Sequence, residues 1–231
     1  FFLISVYSIC ISIVRIGDSM KNAQENNPLD LISTTPALNT WKSVPSTPSQ
    51  MEIWLQCYLG GKEAGKAYSE SYSNRLTGKL DIECMFEAIK VIVNNHEAMR
   101  ATFSDDGTQI RIADTIKLPY KYYDIFLFDE SEKQNYISKH THGTGFYEFD
   151  LEAGPLYLIE LLKIDEEDFL LTFSGHHIMF DGWSITLFFS HLGLVYGQLS
   201  KGDSVFLPEV HKLSDYVSKL KNYSSGPEYQ I

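Results

Sequence analysis

LYLIELLKI (156–164) and FLLTFSG (169–175) are two apolar runs joined by the acidic stretch Asp165–Asp168. Each has the length of a strand, and neither alternates apolar with polar residues. A strand that lacks alternation has both faces covered, so the pair reads as a hairpin in the middle of a sheet. The second run leads straight into SGHHIMFDGWS (174–184). Ser184 is then read as the cap of a long helix carrying Ile185, Phe188, Phe189, Leu192, Val195, Tyr196 and Leu199 on one face.

The rest of the chain is built outward from this hairpin. Thr47-Pro48-Ser49-Gln50 offers a helix N-cap, a proline in the first turn and a glutamine three residues after the cap. Met51, Trp54, Leu55 and Tyr58 follow at helical spacing, and Gly60-Gly61 reads as the stop. Residues 67–77 have strand-like content. Asp81 caps a second helix with Ile82, Met85, Phe86, Ile89 and Val93 on one face. Short strands over 100–104 and 109–113 flank the turn Asp105-Asp106-Gly107, and a helix is placed around 130–141. No internal repeat is present. Strands and helices mixed in one unit indicate an α/β (α+β) sandwich, a mixed sheet with flanking helices.

Residues 1–46 are assigned as a leader or linker and 47–231 as one ordered lobe. The opening run FFLISVYSICISIV has 14 residues, against about 20 needed to span a bilayer, and it lacks a basic flank. Phe1–Ser19 is read as upstream translation or a fragment edge, with Met20 as the start; the rival reading is an uncleaved membrane anchor. The Asn-, Ser-, Thr- and Pro-rich stretch 20–46 has no period.

Composition excludes more than it selects. The net charge is −11, with no Lys/Arg cluster, so a nucleic-acid partner is not expected. Cys10, Cys57 and Cys84 are odd in number and fit neither a disulfide framework nor a zinc site. Free thiols point to a reducing, cytoplasmic setting. No G-x-S-x-G elbow, Walker A loop or GxGxxG occurs.

The chemistry-bearing stretch is therefore 174–184, at the junction of the buried strand and the long helix. Strand alternation turns His177 to the face opposite His176, so the two cannot do the same work. Gly182 permits a sharp turn or a close backbone approach. A metal reading of His176, His177 and Asp181 is disfavoured because adjacent histidines splay apart on a strand. His140 and His142, in KHTHG, are placed on an exposed helix end and read as solvated.

HHIMFDGWS resembles the HHxxxDG signature of condensation domains of nonribosomal peptide synthetases, within the chloramphenicol acetyltransferase-like acyltransferases. Three further stretches are similar to family motifs, in order. They are TPSQMEIWL with Ser49, Gln50 and Trp54; NNHEAMRATF with His96, Glu97, Arg100, Thr102 and Phe103; and LSDYVSKL with Asp215 and Tyr216. Asn95 and Met99 stand where the second motif has Arg and Leu, and the fourth has lost its terminal Trp. FDLEAGPL, from Phe149, resembles the family's lead into the hairpin. The resemblance runs from about Thr47 to Tyr223.

The resemblance implies the N-terminal half of a two-lobe condensation domain, with the second lobe absent from this chain. It implies that His177 is the catalytic histidine, which deprotonates or orients the amine or steadies the tetrahedral intermediate. His176 is implied to be packed structurally. Asp181 is implied to ion-pair with an arginine of the second motif, for which Arg100 is chosen, and the Gly182 N–H to lie near the intermediate. The implied reaction joins a carrier-bound acyl or peptidyl thioester to a carrier-bound aminoacyl amine. The 4'-phosphopantetheine belongs to the carrier proteins, and no cofactor or metal is bound directly. Implied partners are donor and acceptor carrier proteins, the second lobe, and adjacent adenylation or polyketide modules. The alternatives are a CoA-dependent acyltransferase of the same superfamily and a non-catalytic lobe that docks carriers. Trp183-Ser184 speaks against an epimerisation domain, and His176 and His177 against a heterocyclisation domain.

Overall fold

The computed structural model describes residues 40–138, 140, 141 and 147–224, with the backbone alone over 221–224. The opening apolar run, Met20, Cys10 and His142 lie outside the described residues. Twelve elements are joined in the order β1 (Trp41–Pro45), α1 (Pro48–Ala67), β2 (Ser69–Thr77), α2 (Ile82–Asn95), β3 (Ala101–Phe103), β4 (Gln109–Ala113), β5 (Tyr120–Asp124), α3 (Glu130–Ser138), β6 (Tyr157–Asp165), β7 (Asp168–His176), α4 (Gly182–Leu199) and α5 (Leu213–Ser224). A 3-10 turn, Glu97–Arg100, links α2 to β3.

The hairpin 156–176 does lie in mid-sheet: the larger sheet has the order β2-β7-β6-β5. Its unbroken apolar runs follow from two different covers. Ile159, Leu161, Leu171 and Phe173 join the core under α2 and α4. Leu162, Ile164 and Leu170 pack instead against Phe128 and, from α3, Tyr136 and Ile137. Burying both faces removes the need for polar alternation.

Several expectations are corrected. β1 lies inside the stretch assigned as a linker, and pairs antiparallel with β4 from Trp41↔Ala113 to Pro45↔Gln109. It is an exposed edge strand held by its ladder rather than by burial, so it carries no apolar period. Helix α1 does not stop at Gly60-Gly61. The chain kinks at Gly61 (φ 62°, ψ −152°) and resumes the helix to Ala67. Strand β5, which no local pattern predicts, runs parallel to β6; its sequence YKYYD is short and carries a lysine. His140 is buried, 4% exposed, rather than solvated. Its Nδ1 lies 2.8 Å from the Tyr136 carbonyl oxygen and its Nε2 3.6 Å from Glu160.

The motif stretches are joints between elements. Trp54 of α1 supports the β3–β4 turn: a Cβ at Gly107 (φ +69°) would come within 2.3 Å of the indole. Glu97 accepts from Lys42 of β1 and from the Ser214 N–H of α5 at 2.9 Å, tying the second motif to the fourth. Burial opposes ionisation of Glu97. Its bonds to Lys42 and Ser214 outweigh that, and its carboxyl titrates below the ordinary value. A carboxyl depressed in the fold stabilises it above its unfolded pKa of about 4.3, and that stabilisation is lost as pH falls through the folded value. Glu97→Gln is thus expected to lower the urea midpoint at pH 7. The gap to wild type should shrink as pH falls below about 4.3, read from midpoints across a pH series.

Candidate active site

The end of β7 sets two histidines in opposite surroundings. Ser69 of β2 pairs with His176, and Glu70 with Gly175. One residue further, the His177 N–H donates to the Tyr68 carbonyl at 2.7 Å, extending the ladder past the strand. Alternation then drives His176 inward and His177 outward. His176 is 0% exposed, whereas the His177 side chain is 41% exposed.

His176 holds the turn from inside. Its Nδ1 accepts the Ile178 N–H at 3.1 Å, its Nε2 lies 3.7 Å from Cys57 Sγ, and its ring meets Phe149 edge-on. Its carbonyl accepts the N–H groups of Met179 and Phe180. Burial, followed by the neighbouring His177, pushes its pKa down to about 4. The ring is therefore neutral near pH 7. Gln50 of the first motif donates to the Ile178 carbonyl at 3.4 Å, binding α1 to the same turn.

Asp181, not Ser184, caps α4. Its Oδ1 accepts from the Ser184 N–H at 2.8 Å and from the Ser184 hydroxyl at 2.6 Å. These bonds hold the Asp181 carboxyl below its ordinary range, with a further contribution from His177. A short acceptor side chain satisfies an open N–H of the first turn, which the third helical residue cannot do for itself.

The expected Asp181–Arg100 ion pair is not formed. Arg100 Nη1 donates to the carbonyls of Val93 at 2.7 Å, Asn94 at 2.6 Å and His96 at 3.3 Å, and its Nε to Ala113 at 2.9 Å. Leaving the 3-10 turn directly after α2, the guanidinium neutralises the open carbonyl end of that helix. Asp181 Oδ2 has no hydrogen-bond partner among the described residues. Gly182 also departs from expectation: its φ is not positive, and an added Cβ would meet only the Tyr72 hydroxyl, at 3.6 Å. The backbone of this lobe does not require glycine there.

Two polar side chains near His177 escape a reading of the sequence. Glu70 Oε1 lies 3.6 Å from His177 Nε2, and the Tyr72 hydroxyl donates to Glu70 Oε2 at 3.0 Å. Both stand on one face of β2, two residues apart. That face is legible from SESYS; its pairing with β7 is not.

Open space borders the turn. A cavity of about 310 Å³ is lined by Trp54, Cys57, Tyr58, Phe149 and His176, among others. A larger cleft of about 560 Å³ is bounded by Tyr120, Tyr122, Tyr157 and Phe149. His177 lines neither. Along α4, Trp183 (79% exposed), Leu187 and Leu194 form an apolar stripe that nothing among the described residues covers.

The condensation domain family model matches residues 42–231, and the chain belongs to that family. Chondramide synthase cmdD of Chondromyces crocatus is 31% identical over 159 residues, covering 68% of this chain and 4% of that protein. Bacitracin synthase 1 of Bacillus licheniformis is 30% identical over 159 residues, covering 67% of this chain and 3% of that protein. The starter condensation domain of rhizomide synthetase RzmA superposes with a TM-score of 0.72 at 21% identity, over 80% of this chain and 44% of that one. The chain thus spans about half of the solved condensation domain it matches and a few per cent of the curated synthetases. Among the described residues, no helix is long and apolar enough to cross a membrane.

Proposed function

We propose that this lobe supplies the catalytic histidine of an amide-forming acyl transfer in a nonribosomal peptide synthetase. The donor is an acyl or peptidyl thioester, the acceptor an aminoacyl amine, and each is tethered to a carrier protein by a phosphopantetheine arm. The observation that carries the reading is the half-exposed His177, fixed by its backbone at the end of the central strand in a chain of this family.

The amine nitrogen attacks the thioester carbonyl carbon. The C–N bond forms, the C–S bond breaks, and the proton lost by the amine passes by way of His177 to the departing sulfur. A histidine whose ordinary pKa lies near neutrality suits both halves of that transfer. A thioester is already activated, so holding two tethered reactants in line can supply much of the acceleration, up to about 7–11 kcal/mol. The open Oδ2 of Asp181 and the uncovered stripe of Trp183, Leu187 and Leu194 support a second lobe closing over this end of the sheet. The free thiols of Cys57 and Cys84 suit a cytoplasmic setting.

The test is product formation with both carriers loaded. The synthetase carrying this lobe is expected to yield the amide, and acyl-CoA with a free amine is expected not to replace the loaded carriers. The chain by itself is expected to yield no amide, because half a channel leaves the reactants unpositioned. Amide made by the chain alone, or a preference for acyl-CoA, overturns the reading.

A further inference from the structure

We infer that Glu70, oriented by Tyr72, is a positioning residue for His177, holding the ring in place for the chemical step. The inference rests on the role proposed for His177 above. Geometry carries it. Glu70 and Tyr72 are two apart on β2 and so share a face. The register Glu70↔Gly175 puts the carboxylate opposite a residue without a side chain, two places before His177. Gly175 puts no side chain of its own beside Glu70, and the carboxylate reaches the ring that follows on the same face.

The carboxylate is itself directed. Oε2 takes the Tyr72 hydroxyl proton at 3.0 Å, which leaves Oε1 toward His177 Nε2 at 3.6 Å. The spacing to the ring is an ion contact that tightens when the imidazole is charged. The arrangement runs hydroxyl to carboxylate to imidazole, a base oriented by a third group.

Other groups act on the ring as well. Asp181, at the head of α4, is held below its ordinary range mainly by its bonds to Ser184, with His177 a lesser contributor. His176, on the same turn, is kept neutral near pH 7 by burial. Asp181 is committed through Oδ1 to Ser184, so it is bound to the helix rather than aimed at the ring. Glu70 is the carboxylate that stands beside the imidazole, 3.6 Å from Nε2.

The consequence lies in the chemical step. When the ring takes the proton of the attacking amine, an adjacent carboxylate stabilises the imidazolium and keeps it aligned to release that proton to sulfur. A role confined to orienting the ring leaves the apparent affinity for the carriers independent of Glu70.

The experiment uses the synthetase carrying this lobe, with loaded carriers, in single-turnover and steady-state modes. Glu70→Gln is expected to slow the single-turnover rate about five-fold while leaving KM for the carriers unchanged. Glu70→Asp should restore most of the rate, and Tyr72→Phe should give a smaller loss of the same kind. In a His177→Ala background, Glu70→Gln should cost nothing further. An unchanged rate for Glu70→Gln, or an undiminished loss in the His177→Ala background, overturns the inference and leaves the role of His177 standing. A His177→Ala variant that turns over like wild type removes both.

Discussion

Replacing His177 with Ala in the synthetase that carries this lobe is expected to slow amide formation by about 10²–10⁴-fold, the usual contribution of a positioned general base. Folding is expected to be nearly untouched. The side chain is 41% exposed, and the fixed contact of this residue is its backbone N–H to Tyr68, which Ala retains. Substitutions at such places change stability by within about 0.5 kcal/mol. The loss should appear as a lower single-turnover rate with loaded carriers, with an unchanged melting temperature. His176→Ala should behave the other way round. It removes a wholly buried ring and strips the Ile178 N–H of its acceptor, so its first effect is on the fold. If His177→Ala forms product at a near-normal rate, the catalytic assignment fails.

The second large effect is on stability. Phe173 is 1% exposed and sits where β7 meets α4. It stacks on Tyr157 at 5.6 Å, and meets Phe180 at 5.4 Å and Phe188 at 4.8 Å. Truncating it to Ala removes the apolar burial and leaves a cavity that these three rings cannot all collapse into. The expected cost is about 3–5 kcal/mol. In a domain of this size that corresponds to a fall of roughly 10 °C in the unfolding midpoint. Phe173→Leu, which keeps most of the volume, should cost much less. Thermal unfolding of the purified chain checks both variants. Because Phe180 lies in the turn between His177 and Asp181, Phe173→Ala should also loosen the active end of the sheet. A midpoint within a degree or two of wild type would show that the aromatic cluster is not the support the packing implies.

The site is legible in part, and the boundary between what can and cannot be read is physical. The opposed fates of His176 and His177 follow from strand alternation, a local rule that needs no partner strand. The cap of α4 is misassigned by three residues because Asp181 and Ser184 are both good capping types. Which one serves depends on where the chain leaves the turn, and the His176 carbonyl and the Phe173–Phe180 contact decide that. The Asp181–Arg100 pair fails for a different reason. A guanidinium has several possible acceptors, and the open end of α2 lies nearer than a carboxylate on another element. Glu70 is easily overlooked because a lone acidic residue on a polar strand is ordinary until its neighbour across the sheet is known.

The same division runs through the whole molecule. The central hairpin, the capped helices α1 and α2 and the long α4 are written in the chain itself, since local periodicity and end-capping are interactions between residues a few places apart. The edge strand β1, the parallel strand β5 and the Glu97 joint with Lys42 and Ser214 arise only when distant segments meet. Their stability comes from ladders and contacts between residues far apart in sequence, and no local pattern encodes which partner will be there.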